Sequence, residues 1–447
     1  MNRIEPRSYL AATPAFGEGA DNPRAFLERC LAAIDAHEGE VRAFVHFDPQ
    51  AARAVADASR ARWKANKPLS AIDGMPVGVK DVIETRDMPT QMGSPLFAGY
   101  RGGRDSASVH ALRQAGAIIL GKTVTTEFAA TTAGPTRNPW ALERTPGGSS
   151  SGSAAGAAAG FFSVGLGTQV LGSIVRPASF CGVVGFKPTF GAINRGGSHD
   201  FMSQSCQGAL GASRGDVWAT LREIAQRAGG DAGYPGMGGP RELPASRMPQ
   251  KLIFLETPGW AKTSDALKTA MSDVLALLRK AGVEIITRRD AAEIERFEQA
   301  LDASMRLTRQ INGWESIWPL NIYRDRDASK ISAPMLERLA EAEKMQPSDY
   351  HRALAERAAM RNAYAMLAER ADACITLAAT GPAPVGLVST GDGAFAVHAS
   401  VLGAPALTLP LLREAGLPVG VQLIGFDWRD ADLFAVAGAV ERVEAAL

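Results

Sequence analysis

The chain has 447 residues, 46% of them hydrophobic, so it can bury a large core, and its length fits one oversized domain or a core carrying an insertion. A net charge of +1 and six histidines without metal-ligand spacing argue against nucleic-acid binding and a metal centre. The lack of an apolar run of about 18 residues argues against a transmembrane helix, and four scattered cysteines with a charged, signal-free N-terminus predict a reduced, cytoplasmic protein.

Residues 1–23 read as loosely structured. From Pro23, apolar residues Phe26, Leu27, Cys30, Leu31 and Ile34 recur at helical spacing. Residues 43–48 alternate like a strand, and 48–67 form an amphipathic helix with Asp48 as its cap. A short apolar strand over 77–83 carries Lys80, a lysine in an unusually uncharged setting. It suits either a general base or a partner of Asp81. A glycine- and proline-rich loop over 86–104 leads to a helix over 106–116, stopped by Gly116, and a buried strand over 117–123. Lys122 and His110 read as structural.

The stretch from Pro146 to Pro188 is dense in glycine and serine and nearly free of charge. Glycine at that density costs backbone entropy, and it makes sense where N–H groups must face a ligand. The turn 147–152 opens onto an alanine-rich helix whose free N–H groups favour a developing negative charge. A strand, SVGLGTQ, then ends in a second loop with one serine, Ser173. Neither G-x-x-x-x-G-K-[ST] nor G-x-S-x-G is present, so a phosphate loop and a nucleophile elbow are both disfavoured. A serine nucleophile here would need a lysine base, because no histidine lies in the stretch.

Residues 190–208 read as a polar loop, and 229–246 as the best internal boundary. A strand follows over 251–258, with a helix over 263–283, a strand over 283–287 and mostly helix over 290–370. Trp314 and Trp318, four apart, are expected on one helix face, as core residues or as a pocket lid. Strands near 373 and 417, a small-residue helix with a buried His398, and a closing helix complete an α/β chain with a mixed sheet.

Several motifs stand in order: PVGVKD at 76–81, GAIILGKT at 116–123, TEFA at 126–129, RNPW at 137–140, RTPGGSSSGSAAG at 144–156, GTQVLGSIVRPASFCGVVGFKPT at 167–189 and LPVGVQLIG at 417–425. The chain thereby resembles the amidase signature family of serine hydrolases, in a bacterial subgroup written GS-x-x-RP. The resemblance implies an α/β fold, a mixed β-sheet sandwiched between helical layers, as a single domain over 1–447 with a variable helical insertion at about 260–370. It implies a Ser–cis-Ser–Lys triad: nucleophile Ser173, bridging Ser149 and Lys80. It implies an oxyanion hole from the backbone of Val170, Leu171, Gly172 and Ser173, with Ser150 and Gln169 in support. Arg176, Gln204, Ser205 and Cys206 become substrate-binding candidates; for Arg176 a structural pairing with an acid is the alternative. Gln169, Leu171 and Val175 depart from the commoner GTDTGGSIR pattern. The implied activity is cleavage of an amide, ester or carbamate, without cofactor or metal. The expected partner is a small-molecule substrate rather than nucleic acid or membrane; a homodimer stays open. The alternatives are a glutaminase subunit of a tRNA-dependent amidotransferase and a non-catalytic amide binder.

Overall fold

In the computed structural model, residues 5–444 are described, and eleven strands form one mixed sheet. The strands are β1 (Phe44–Phe47), β2 (Pro76–Lys80), β3 (Ile118–Thr123), β4 (Val164–Gln169), β5 (Val184–Lys187), β6 (Cys206–Gly211), β7 (Lys251–Phe254), β8 (Glu284–Ile286), β9 (Ala373–Leu377), β10 (Ala406–Glu414) and β11 (Leu417–Ile424). Their spatial order is β1-β3-β2-β4-β6-β5-β10-β11-β9-β7-β8. β2 runs parallel to β3 and β4, whereas β4 pairs antiparallel with β6. The loop that carries Ser173 leaves the sheet at the end of β4, beside this change of direction.

Alternate residues of a strand face opposite sides of the sheet. On β7, Leu252 and Phe254 enter one apolar cluster with Trp218, Leu275 and Phe434, whereas Ile253 enters another with Phe297, Ile311 and Tyr364. Helices therefore cover both faces, as the alternation of strands and helices and the family resemblance imply. β2, β4, β5, β6 and β9 are buried along their whole length.

Most expected elements form, with corrections that have physical causes. A helix spans Tyr9–Gly17 in the segment read as loose. Ser8 caps it, Tyr9 and Phe16 anchor it in the core, and Thr13 Oγ1 donates to the Leu10 carbonyl at 2.9 Å, which Pro14 cannot serve. β2 ends at Lys80 because the N–H groups of Val82 and Ile83 turn back to the Lys80 carbonyl. The loop after residue 190 ends earlier than 208, since β6 begins at Cys206. Residues 229–246 hold no strand or helix, as expected of a linker. Trp218 Nε1 donates to the Glu242 carbonyl at 2.8 Å, the Met237 N–H donates to Ala192 at 2.8 Å, and β7 rejoins the same sheet beyond.

The helix Ser304–Asp327 is broken at Trp318, whose φ/ψ of −94°/125° precede Pro319. Neither tryptophan is a core residue, and both line one surface groove together with Phe201 and Tyr350. Trp314 stacks on Tyr350 with 5.6 Å between centroids, and Trp318 is 58% exposed, packing against Phe201. His398 is buried as expected, with Nδ1 3.0 Å from Ser304 Oγ.

Candidate active site

Lys80 and Thr168 stand at the C-terminal ends of two parallel neighbours, β2 and β4, and their side chains meet there. The turn before the Ser151–Ala158 helix brings in Ser149, and the loop after β4 brings in Ser173. The peptide bond from Gly148 to Ser149 is cis. The Ser150 N–H donates to the Ser173 carbonyl at 3.4 Å, which ties the two loops together.

Lys80 is fully buried. Its Nζ stands 2.7 Å from Ser149 Oγ, 2.8 Å from Thr168 Oγ1 and 3.4 Å from the Thr168 carbonyl. Burial pushes its pKa down to about 7, with the Asp200 charge opposing. Asp81 does not pair with Lys80. It lies 3.0 Å from Lys122 Nζ in a fully buried ion pair, and its Oδ2 accepts from the Gln91 N–H at 3.0 Å. The open choice between a base and an Asp81 partner is thereby resolved against the ion pair.

Gln169 holds the loop that carries Ser173. Its Oε1 accepts from the N–H groups of Ile174 and Val175 at 2.8 and 3.0 Å, and its Nε2 donates to Ser400 Oγ at 3.0 Å. Ser400 Oγ in turn donates to the Leu171 carbonyl at 3.0 Å. Among the described residues, the backbone N–H groups of Leu171, Gly172 and Ser173 donate to no protein acceptor. The Val170 N–H likewise has no acceptor among the described residues, so the loop offers free donors to an external oxygen. The Leu171 side chain packs over Gly393, where a Cβ would stand 2.3 Å from Leu171 Cδ2.

The remaining candidates separate. Ser150 Oγ donates to the Thr168 carbonyl at 3.3 Å, bracing the lysine's neighbour. Arg176 Nη2 donates to the Gly148 carbonyl at 2.7 Å and to Thr390 Oγ1 at 3.0 Å, and burial lowers its pKa to about 10. No carboxylate lies within 4.0 Å of it among the described residues, so the expected alternative of an acid pair is absent, although the Asp392 charge acts on it from farther away. Gln204 Nε2 donates to the Val170 carbonyl at 3.0 Å and to Thr308 Oγ1 at 3.1 Å; its Oε1 and the Ser205 hydroxyl are buried without partners. Cys206 sits on β6, where Lys187 Nζ approaches its sulfur at 3.6 Å.

Sequence reasoning missed Thr168, Ser400, Thr390 and Asp200. Thr168 was findable, because it directly precedes Gln169 at the end of a readable strand. Thr390 and Ser400 lie more than 200 positions from their partners and leave no local signal. Among the described residues no group of three metal-ligating side chains converges, and no helix is long and apolar enough to cross a membrane.

Three comparisons bear on this arrangement. A glutamyl-tRNA(Gln) amidotransferase subunit of Anaeromyxobacter sp. (strain K) is 33% identical over 471 aligned positions, covering 93% of this chain and 92% of that protein. The peptide amidase of Stenotrophomonas maltophilia superposes with a TM-score of 0.78 at 26% identity, covering 98% of this chain and 97% of that one. A crystal structure of an amidase superposes at 0.83 with 26% identity, covering 98% and 99%. The family model for Amidase matches residues 25–434, and the chain accordingly belongs to the amidase signature family.

Proposed function

We propose that this protein is a serine amidohydrolase that cleaves a carbon–nitrogen acyl bond through an acyl-enzyme on Ser173. The reading is carried by one observation: a fully buried lysine with its pKa near 7 stands 2.7 Å from a serine hydroxyl. A lysine that is neutral at working pH accepts a proton, and a buried one does so without solvent competition.

In the proposed sequence, Ser173 Oγ attacks the carbonyl carbon while its proton passes to Ser149 Oγ, and the Ser149 proton passes to Lys80 Nζ. The free N–H groups of Leu171, Gly172 and Ser173 receive the oxyanion, with Val170 extending the loop. Donors of this kind typically lower a barrier by about 3 kcal/mol each. Collapse breaks the C–N bond, and the relay returns the proton to the leaving amine. Water then enters by the same relay and releases the acid. An ester or carbamate is attacked in the same way, so the reading extends to urethane cleavage. Arg176, engaged with Gly148 and Thr390, positions the Ser149 turn in this reading, and Gln204 braces Val170. The active unit is proposed to be the whole chain acting on a small molecule in the cytoplasm, with the helices between about 260 and 370 as a variable addition to the family core.

The test is amine release from a short aliphatic amide, an aryl anilide and an aryl carbamate, with Ser173→Ala as the blank. Release should vanish in the variant. In the parent, kcat should rise with pH through about 7 as Lys80 loses its proton. A kcat flat across roughly pH 6–9, with chemistry rate-limiting, refutes the lysine base.

A second reading rests on the likeness to the amidotransferase subunit, 33% identical along most of both chains. It makes this chain a glutaminase acting with partner chains. Glutamine hydrolysis together with a co-purifying subunit would favour it, and turnover of aryl amides by the isolated chain would exclude it as the main activity.

A further inference from the structure

A cavity opens beside the loop that leads to Ser173, lined by Val82, two residues past Lys80, and by Val170, three before Ser173. Its walls are largely apolar, with Phe128, Leu320 and Met335 among them. One arginine stands in this wall: Arg338, from the helix Ala333–Ala342. Its hydrogen bond is long, from Nη2 to the Asn312 carbonyl at 3.4 Å. Among the described residues no carboxylate lies within 4.0 Å of its guanidinium, and burial lowers its pKa. The contrast is Arg324, one helix away, which makes a two-pronged pair with Glu343 at 2.8 and 3.0 Å.

Arg338 is half-buried with no counter-ion beside it, and its planar fork matches a carboxylate. Asp200 lines the same cavity, but on the reacting side: of the two charges, only Asp200 acts on Lys80. A negative substrate group would be repelled there and attracted at Arg338.

We propose that Arg338 is a specificity-determining residue that receives a carboxylate at the far end of an apolar substrate, so that the preferred substrates are carboxylated amides or carbamates. This rests on the hydrolase reading above. Arg338 lies in the mostly helical region outside the family motifs, so the preference would be particular to this chain rather than to the fold.

The experiment uses two matched pairs. The carboxylate lies on the amine side in 4-acetamidobenzoate, against neutral 4-acetamidotoluene. It lies on the acyl side in succinanilate, against neutral butyranilide. Amine release by the parent protein should favour the anion of at least one pair by roughly tenfold in kcat/KM, the size of a modest charge-assisted contact. Arg338→Met should collapse that ratio toward one, and Arg338→Lys should retain part of it. Calorimetric titration of the Ser173→Ala protein with the two anions gives a readout without turnover, and Arg338→Met in that background should weaken binding by a similar factor. Equal treatment of anion and neutral by the parent in both pairs, or a preference that survives Arg338→Met, overturns the proposal. If none of the four anilides is cleaved, the titration alone decides the carboxylate site, and the hydrolase reading stands or falls on the aliphatic amide and carbamate of the panel above.

Discussion

Gln169 shows how a single side chain substitutes for what the commoner family pattern supplies with an aspartate. Its carboxamide offers both an acceptor, to the N–H groups of Ile174 and Val175, and a donor, to Ser400. An aspartate could supply only the first. Gln169→Ala would leave two buried N–H groups unpaired and free the loop beneath Leu171, Gly172 and Ser173. We expect kcat to fall by about 100-fold with KM changing far less, because the loop is proposed to act on the oxyanion rather than on the ground-state substrate; steady-state kinetics on the aryl anilide check this. The residues of the proposed relay were legible because each stands inside a short glycine-bearing motif whose chemistry is local. Leu171, a departure from the commoner pattern, finds room because position 393, far along the chain, carries no Cβ. The unpaired guanidinium of Arg338 was equally illegible, since a lone arginine in a polar helical stretch looks like a solvated face until its surroundings are known.

At the scale of elements, caps and strands read well and interruptions read poorly. Asp48 was predicted to cap its helix, and its Oδ1 accepts from the N–H groups of Gln50 and Ala51 at 3.0 and 2.9 Å. Asp48→Ala should cost about 1 kcal/mol of stability, measured by denaturant unfolding, with amine release unaltered. The Tyr9–Gly17 helix escaped notice because Pro14 and scattered small residues hide its two anchors, Tyr9 and Phe16. The break at Trp318 was legible in principle, since the residue before a proline avoids helical backbone. The sheet itself was readable as strands but not as an order, because β4 neighbours β6 and β10 neighbours β5 only through contacts distant in sequence.

For the whole molecule, the buried lysine sets a pH dependence of folding. Its pKa is about 7 in the folded state and near its usual 10.5 when unfolded. Between those values the unfolded chain holds a proton that the folded chain has lost. Stability therefore increases with pH across that window, levels off above it and is insensitive to this group below about 7. Lys80→Met should remove this contribution, flattening the unfolding free energy between about pH 7 and 10 while abolishing amine release. On the acid side His398, pushed down to about 4 by burial, adds a loss of stability as pH falls from its usual 6.5 toward that value.

The link from Gln169 to Ser400 spans 231 positions, and Arg176 reaches Thr390 across 214. Lys80, Ser149 and Ser173 all lie in the first two fifths of the chain, yet the loop bearing Ser173 is fastened by residues synthesised last. A ribosome-bound or prematurely terminated chain would carry every reactive group without the fastening. Its N-terminal part could form β2, β3 and β4 while leaving the serine loop untethered. In the proposed mechanism the tie from Gln169 to Ser400 therefore forms only after every group of the relay has been synthesised.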